Sequence, residues 1–236
     1  KVNTQDFQKL HGKKVLNITR RAKYIMINFG EFDILIHLGM TGTLRITDKY
    51  SNLYKKHDHV ELIFETEKII FNDPRRFGSF HFISNLENHF LLNSLGPEPL
   101  SKQFDGAYLF NKIKKSKSPI KNALMNQKNV VGIGNIYANE ILFDAKIRPT
   151  RKCKTLTKKE NMQIVESTKK ILKLAIKAGG TTLQDFYKPD GNKGYFKIDL
   201  AVYDRAGKYC LFCKKELITR IIQAQRATFL CKKCQG

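Results

Sequence analysis

Residues 210–234 read CLFCKKELITRIIQAQRATFLCKKC. This stretch contains two Cys-x2-Cys pairs, Cys210 with Cys213 and Cys231 with Cys234, and 17 residues separate the pairs. Each pair can bring two thiolates to one ion, and the residues between them are enough for a hairpin that returns the second pair. The spacing therefore predicts a C-terminal β-hairpin zinc finger that holds one structural Zn²⁺ ion.

The predicted finger is strongly basic, because Glu216 is its only acid from Arg205 onward. Its cations include Lys208, Lys214, Lys215, Arg220, Arg226, Lys232 and Lys233. The whole chain has a formal net charge of +22, which exceeds what solubility requires and indicates a polyanionic partner. Nucleic acid is the first candidate. On charge alone, a zinc-bearing ribosomal or other RNA-associated protein is an alternative.

The composition is that of a globular protein. A length of 236 residues, with 42% hydrophobic residues and 16 Phe, is enough for one large domain or two ordinary ones. The sequence has no apolar run of membrane-spanning length and no signal peptide at Lys1, so we expect a cytoplasmic protein without membrane association. Four of the 5 cysteines belong to the predicted metal site, and Cys153 receives no role.

The first half of the chain reads as short β-strands. The β-branched and aromatic runs are Val15 with Ile18, and residues 24–29, 33–37, 43–46, 60–64, 69–71 and 79–83. Glycine, asparagine and aspartate turns separate them, which predicts a β-sandwich or barrel. Ser84 and Glu87 form a candidate capping box for a first helix that ends at Gly96 and Pro97. Residues 96–105 then read as an interdomain linker.

The second half reads as helices. Ser118 and Pro119 are expected to open a helix, and Gly132 and Gly134 allow a tight turn before Asn135 caps a second helix over residues 136–145. A longer helix is expected to begin with a capping box between Thr157 and Glu160 and to end at residues 179–180. Its predicted buried face consists of Val165, Thr168, Leu172, Ala175 and Ile176.

Two further features indicate contacts with DNA. The Gly132 to Asn135 turn leads into a helix N-terminus, where free N–H groups favour a phosphate, and a run of lysines lies just upstream at Lys112, Lys114, Lys115, Lys117 and Lys121. The turn at residues 73–78 presents Arg75 and Phe77, and an exposed Phe between cations suits a wedge that enters a base stack. A plain helix connection, a solvated lysine face and a buried Phe77 are the alternatives.

Four stretches together resemble a known family. They are HLGMTG at residues 37–42, DPRRFG at 73–78, GIGNIYANE at 132–140 and QRATF at 225–229, followed by the zinc cysteines. In this order, and from about Leu10 to the C-terminus, the chain resembles the bacterial formamidopyrimidine-DNA glycosylases. The sister family endonuclease VIII shares the two-helix turn and the zinc module, but HLGMTG and QRATF favour the first family.

The resemblance implies an α+β fold with three domains. These are an N-terminal β-sandwich domain over residues 1–98, a helical domain with a helix-two-turn-helix over 99–200, and the zinc finger over 201–236. The implied enzyme is a bifunctional DNA glycosylase and abasic-site lyase of base-excision repair. It flips oxidised purines such as 8-oxoguanine and formamidopyrimidine out of duplex DNA. The expected partner is double-stranded DNA with damaged bases or abasic sites, bound by a monomer.

The resemblance also assigns site residues in this chain. Met40, Arg75 and Phe77 match the residues that fill the void left by the flipped nucleotide. His57, Arg75, Lys117, Lys121 and Asn135 match DNA contacts. Lys23 matches the proton donor of β-elimination and Arg226 matches the finger arginine linked to δ-elimination. A loop over the flipped base corresponds to residues 184–196, where Gln184 stands in place of a frequent cation.

The chain departs from the family pattern at its start. Family members begin with a proline, whose amine attacks C1′ of the sugar, followed by a glutamate that assists by proton transfer. This sequence begins Lys1-Val2-Asn3, and Lys1 aligns far inside the family's chain. We therefore expect a fragment of a normal enzyme that lacks the nucleophile. A degenerate paralogue that only binds damaged DNA is the alternative.

Overall fold

The structure is a computed structural model, and it describes residues 4–84, 89–179 and 200–236 of the chain. The described residues form two compact units. The first ends at Asn93 and the second begins at Ser94, so the helical part and the finger belong to one unit. The three predicted domain boundaries stay a prediction.

The first unit contains seven antiparallel strands in two sheets. The strands are β1 (Asn17–Arg21), β2 (Tyr24–Asn28), β3 (Asp33–His37), β4 (Thr43–Asp48), β5 (Asp58–Ile63), β6 (Glu67–Asn72) and β7 (Ser79–Ile83). One sheet has the order β1-β2-β3-β7 and the other has the order β4-β6-β5. Helix α1 (Thr4–Phe7) and a 3₁₀ turn (Gln8–Leu10) precede β1, and the short helix α2 (Phe90–Asn93) ends the unit.

The core of the first unit lies between its two sheets. Ile34 and Ile36 of β3 are fully buried and share one apolar cluster with Phe71 of β6 and Phe80 of β7. The Phe71 and Phe80 rings lie 5.0 Å apart, within the range of a favourable aromatic pair. The β-sandwich prediction is confirmed, and every predicted run overlaps one strand.

The second unit begins with four helices and ends with a hairpin. The helices are α3 (Gly106–Ile113), α4 (Ile120–Met125), α5 (Asn135–Asp144) and α6 (Lys158–Lys177), and a 3₁₀ turn (Cys153–Thr155) precedes α6. Leu109, Ile120, Ile141 and Ile164, one from each helix, are fully buried in a single cluster. Within the described residues, no helix combines the length and the apolar character needed to cross a bilayer.

The linker expected at residues 96–105 is part of the second unit. The Phe104 side chain is fully buried in the helical core. The N–H of Gly96 donates to the carbonyl of Gln127, 2.8 Å away. Asp105 then caps α3, a helix that the sequence reading overlooked, by accepting the N–H of Tyr108 at 2.7 Å. The expectation of a linker was wrong because Gly and Pro here shape a packed connection.

Two details of the predicted helices also differ. Gly134, not Asn135, is the N-cap of α5, since the Asn135 amide donates instead to the carbonyl of Ala227. Ile176, predicted to be buried, is 66% exposed in the last turn of α6, whereas Leu172 and Ala175 are buried as predicted. The capping box of Thr157 is confirmed. Glu87 of the other predicted capping box lies outside the described residues. The part of that predicted helix that the structure describes contains the short α2.

The finger contains β8 (Thr219–Gln223) and β9 (Arg226–Leu230), which confirms the predicted hairpin. Helix α5 anchors it. The Asn139 side chain accepts the N–H of Phe229 at 2.8 Å. The buried carboxylate of Glu140 accepts the N–H groups of Ala201, Val202 and Tyr203 at 2.8–3.0 Å. Buried polar groups need such partners, so the sequence Asn139-Glu140 determines where the finger packs.

Candidate nucleic-acid interface and metal centre

Strand pairing places two functional turns side by side in the first unit. His37 of β3 pairs with Ser79 of β7, and Thr43 of β4 pairs with Asn72 of β6. The chain between β3 and β4 carries Met40, and the chain between β6 and β7 carries residues 73–78. The β3–β4 connection and the β6–β7 connection begin and end on paired strands, so both lie at the same end of the sandwich.

The three predicted void-filling residues project from these two turns. Met40 is 68% exposed and Phe77 is 57% exposed, which excludes the alternative that Phe77 is a core residue. The Arg75 guanidinium lies 4.9 Å from the centre of the Phe77 ring, a cation–π contact that keeps the cation beside the ring. The arrangement offers two apolar wedges and one cation to a ligand.

Asp73 connects the two turns. Its carboxylate is buried and accepts the hydroxyl of Thr41 and the N–H of Gly78, each at 2.7 Å. Burial raises the pKa of this carboxyl, but the hydrogen bonds from Thr41, Gly78 and Arg75 outweigh it and hold the pKa below its ordinary value of 3.8. The N–H of Asp73 also donates to the carbonyl of His57 at 3.0 Å. One side chain thus orders both wedge turns.

Gly39 permits the close packing of these turns. Its φ of +66° is in the left-handed region, and a Cβ there would lie 2.6 Å from backbone atoms of Phe77 and Gly78. Both the angle and the contact exclude an L side chain without a backbone shift. The glycine of the HLGMTG stretch is therefore needed to bring Met40 beside Phe77.

Lys23 lies near the same end of the sandwich. It occupies the two-residue turn between β1 and β2, and its neighbour Tyr24 pairs with His37. Burial and the charge of Lys23 both lower the pKa of His37. His37 Nδ1 accepts the N–H of Gly39 at 3.0 Å, at the start of the Met40 turn. The predicted elimination lysine and the void-filling residues thus share one region.

In the second unit, two of the three predicted DNA contacts, Lys121 and Asn135, reach the finger. The carbonyl of Ala227 accepts the Lys121 ammonium at 2.9 Å and the Asn135 amide at 3.1 Å. Lys121 also donates to the hydroxyl of Thr228 at 2.7 Å. Arg226, the residue before this carbonyl, is exposed. Lys121 and Asn135 therefore hold the strand that carries Arg226, and their contact with phosphate stays a prediction.

The electrostatics of this cluster are repulsive. Burial and the charge of Arg226 lower the pKa of Lys121 to about 8. Lys117 lies just before α4 and is exposed. Lys112, Lys114 and Lys115 are also exposed. Two cations at one strand, Lys121 and Arg226, raise the local potential, which an anionic ligand relieves. Lys121 of the lysine run is buried, and the four exposed lysines upstream of it fit either a phosphate track or a solvated face.

Four cysteines form the candidate metal centre. The sulfurs of Cys210, Cys213, Cys231 and Cys234 all lie within 4.8 Å of one another. Two of the separations are 3.9 Å, between Cys210 and Cys234, and 3.8 Å, between Cys213 and Cys231. A tetrahedral ion with metal–sulfur bonds of about 2.3 Å requires sulfurs about 3.8 Å apart. The site therefore fits one tetrahedral ion.

The thiols also need a cation for an electrostatic reason. Backbone N–H groups of Lys215 and Glu216 lower the pKa of the Cys213 thiol to about 6. Burial and the neighbouring sulfurs raise the pKa of Cys234 to about 12. Four thiolates at these distances repel each other, and a bound divalent ion removes that repulsion.

Sequence reasoning missed several supporting residues. Asp73, Asn139 and Glu140 stood inside the quoted motifs but received no role. The signal was an acid or amide in an otherwise basic or apolar motif, which is typical of a buried acceptor. Thr41 gave no signal. The predicted loop at residues 184–196 lies outside the described residues.

These features define a DNA-binding protein with a β-sandwich, a helix-two-turn-helix and a metal finger. Residues 1–80 match the formamidopyrimidine-DNA glycosylase N-terminal domain, and residues 95–187 match the formamidopyrimidine-DNA glycosylase H2TH domain. The chain belongs to the formamidopyrimidine-DNA glycosylase family, whose members are bifunctional DNA glycosylases and abasic-site lyases. This is the family that the sequence motifs predicted.

The similarity extends over almost the whole chain. The Photorhabdus laumondii formamidopyrimidine-DNA glycosylase is 46% identical over 98% of this chain and 86% of its own length. The Hahella chejuensis enzyme is 47% identical over 95% of this chain and 83% of its own. The Lactococcus lactis Fpg, solved with DNA containing an abasic site, superposes with a TM-score of 0.90 at 34% identity, covering 99% of this chain and 86% of that one.

We predict that Asp73→Asn destabilises the first unit. An asparagine offers one acceptor and an NH₂ where the carboxylate accepts two donors, so the free energy of unfolding at pH 7 should fall by about 2 kcal/mol. The pKa of Asp73 is lower in the folded state. Its stabilisation is therefore present above 3.8 and lost as the pH falls through the folded pKa, so the two proteins converge in acid.

Urea unfolding followed by circular dichroism between pH 3 and 7 measures this difference. Glu31→Gln is the matched control, since it removes an exposed carboxylate of the same unit that pairs with the exposed Lys13 at 3.6 Å. It should change the free energy of unfolding by less than about 1 kcal/mol. Equal stabilities of Asp73→Asn and the wild type at pH 7 would show that the carboxylate does not hold the turns.

Proposed function

We propose that this protein removes oxidised purines, such as 8-oxoguanine and formamidopyrimidine, from duplex DNA and then cleaves the abasic strand. The observation that carries the proposal is the exposed set of Met40, Arg75 and Phe77 on two turns fixed by Asp73. Relatives of the same family support it. One Lactococcus lactis Fpg structure contains DNA with Fapy-dG, and another contains DNA with an abasic site.

The proposed first step is extrusion of the damaged nucleotide. A base inside the duplex is out of reach, so the enzyme must unstack it and fill the gap. Met40 and Phe77 present apolar surface for neighbouring bases. Arg75, held beside the Phe77 ring, supplies a donor and a charge for the groups left unpaired. Asp73 and Gly39 contribute by keeping these side chains in position before DNA arrives.

The proposed contacts with the DNA backbone are assigned to each unit by itself. His57 contributes from the first unit, and Lys117, Lys121 and Asn135 contribute from the second. Lys121 and Asn135 share the carbonyl of Ala227 and so hold the finger strand. We propose that the same two side chains also bind phosphate. The surplus of positive charge makes binding dependent on salt, since each phosphate contact releases counterions.

The proposed strand cleavage uses cations at the leaving groups. β-Elimination releases the phosphate on one side of the processed sugar, and δ-elimination releases the phosphate on the other. We assign Lys23 to the first step as proton donor and Arg226 to the second. Cations placed at the developing charge stabilise both departures. The amine that attacks C1′ is proposed to be the proline of the family's N-terminal segment, not Lys1.

A second candidate activity is binding without chemistry. All the DNA contacts proposed above lie within residues 23–226, so we propose that the 236-residue chain binds lesion DNA and does not cut it. The proposed DNA partner also implies a location. We propose that the protein acts on the bacterial chromosome in the cytoplasm. The oligomeric expectation is a monomer, because the proposed contacts come from a single chain.

We propose that the ion of the cysteine centre is Zn²⁺, which favours four thiolates in tetrahedral geometry. The four cysteines would hold it and thereby join the two ends of the finger around β8 and β9. The ion then supplies folding energy and no catalytic step. Its effect on DNA is indirect, through the position of Arg226.

Covalent trapping tests the glycosylase and lyase proposal. Borohydride reduces a Schiff base between an amine and C1′ to a stable adduct, which gel electrophoresis detects. A version that begins with the family's proline and glutamate segment should be trapped on 8-oxoguanine duplexes and not on undamaged duplexes. The 236-residue chain should bind the same duplex without an adduct or a nick. Absence of trapping in the extended version counts against the enzyme, and nicking by the 236-residue chain excludes the binding-only activity.

The wedge role of Phe77 predicts a specific kinetic defect. In the extended version, Phe77→Ala should slow single-turnover excision by about tenfold, equivalent to about 1.4 kcal/mol of lost transition-state stabilisation. Affinity for undamaged duplex should not change, because that binding depends on phosphates. Phe90→Ala, which removes an even more exposed ring of the same unit, should affect neither. Parallel losses of rate and undamaged-duplex affinity would show that Phe77 is structural.

Loss of one cysteine should release the metal. Cys213→Ser leaves three thiolates, so elemental analysis should find much less than one zinc per chain and anisotropy should show weaker DNA binding. Cys153→Ser is the control, because Cys153 lies in the helical core outside the metal centre. It should keep one zinc per chain. Full DNA affinity in zinc-free Cys213→Ser protein would separate the finger from DNA binding.

A further inference from the structure

The loop between β4 and β5, residues 49–57, is firmly attached to the sheet. The Arg45 guanidinium donates to the Asp58 carboxylate at 2.8 Å and to the carbonyl of Leu53 at 3.4 Å. The N–H of Lys49 donates to the carbonyl of Thr66 at 3.0 Å. The Asn72 amide donates to the carbonyl of Lys56 at 2.9 Å. These contacts fix the loop at both ends and in the middle.

Despite this order, the loop presents large apolar side chains to solvent. Tyr50 is 80% exposed, Leu53 is 79% exposed and Tyr54 is 58% exposed. Three such side chains within five residues are not explained by the core of the unit, which lies between the sheets. Several large apolar side chains exposed on one ordered loop are typical of a binding surface.

The charge of the loop is positive. Lys55 and Lys56 are exposed, and the Lys49 ammonium lies 5.7 Å from the Tyr50 ring centre. The acids beside them are used internally, since Asp48 accepts the N–H of Tyr50 and Asp58 accepts Arg45. Aromatic rings interleaved with lysines fit a polyanion that also has flat apolar faces.

Lys68 contacts the Tyr54 side chain both at its ring and at its hydroxyl. The Lys68 ammonium lies 4.6 Å from its ring centre and donates to its hydroxyl at 3.2 Å. Lys68 itself is buried and pairs with Glu61 at 3.3 Å. One face of the Tyr54 ring is therefore occupied by a cation, and the exposed part of the ring has little freedom to move. A fixed ring is a suitable stacking platform.

The chemical character of this loop surface favours single-stranded DNA over duplex DNA as its ligand. A duplex hides the faces of its bases and offers a protein's outer loops mainly phosphates, for which lysines alone suffice. Unpaired nucleotides expose both base faces and phosphates, and they bind where aromatic rings lie beside cations. Tyr50 and Tyr54 with Lys55 and Lys56 match the second case.

We propose that residues 49–57 bind unpaired nucleotides of a DNA strand that continues beyond the duplex. The inference rests on the proposed function, because the base of the loop joins the candidate interface. His57 ends the loop, and its carbonyl accepts the N–H of Asp73, the residue that orders the wedge turns. The protein would thus bind lesions near junctions of single-stranded and double-stranded DNA more tightly than lesions inside long duplexes.

Fluorescence anisotropy on three kinds of lesion duplex tests the proposal. The first kind is blunt, the second carries about ten unpaired thymidines at either its 3′ end or its 5′ end, and the third carries the same extensions without bases. Wild type should bind one thymidine-extended duplex at least about fivefold more tightly than the blunt one, the lower range for stacking of one base. The base-free extension should give no such gain.

Tyr50→Ala is the main variant, since its ring is the most exposed of the three and its substitution leaves the Tyr54 contact with Lys68 intact. It should lose most of the gain and keep blunt-duplex affinity. Phe90→Ala, an exposed ring outside the loop, should keep the gain. Equal binding of blunt and extended duplexes by wild type, a gain that survives Tyr50→Ala, or an equal gain from the base-free extension would each overturn the proposal.

The test separates this proposal from the proposed function. If wild type binds neither blunt nor extended lesion duplexes better than undamaged ones, lesion recognition is refuted. The loop is then judged on a thymidine oligonucleotide alone. Tyr50-dependent binding of that strand supports the loop as a single-strand site, and binding that Tyr50→Ala does not weaken overturns it.

Discussion

A buried carboxylate must find hydrogen-bond donors, and this requirement organises both units of the protein. Asp73 satisfies it with Thr41 and Gly78, and Glu140 satisfies it with three successive backbone N–H groups at residues 201–203. In a chain with 43 basic and 21 acidic residues, these two acids are used inside the fold. Each one fixes a segment that carries exposed cations, so acid placement controls where the positive charge is presented.

The fold assigns the site residues two kinds of work. Met40, Arg75 and Phe77 are presented to solvent and are available to a ligand. Lys121 and Asn135 instead use their donors on the carbonyl of Ala227, next to Arg226. A phosphate at this cluster would meet a strand already held in place by the helix-two-turn-helix. This positioning exists before any DNA binds, which lowers the ordering that a DNA ligand must induce in the strand that carries Arg226.

Local patterns in the sequence predicted most of the architecture. The strands, the capping box of Thr157 and the cysteine hairpin follow from alternation, end signals and spacing, and the motifs placed Met40 and Phe77 correctly at exposed turns. Long-range contacts decided the rest. Phe104 is buried in one cluster with Ile120 and Leu124 of α4, Asn135 gives its amide to the finger, and Asp73 accepts a hydrogen bond from Thr41, 32 positions away. No local pattern contains these partners, so periodicity alone reads them as a linker, a cap and a turn residue.

The cysteine centre makes the integrity of the finger depend on the redox conditions around the protein. Sulfurs 3.8–3.9 Å apart are protected while an ion holds their lone pairs, but bare thiolates react readily with peroxides and with each other. Backbone N–H groups of Lys215 and Glu216 lower the pKa of the Cys213 thiol, which favours its reactive thiolate form when no ion is bound. Conditions that oxidise guanine therefore also threaten the part of the molecule that carries Arg226.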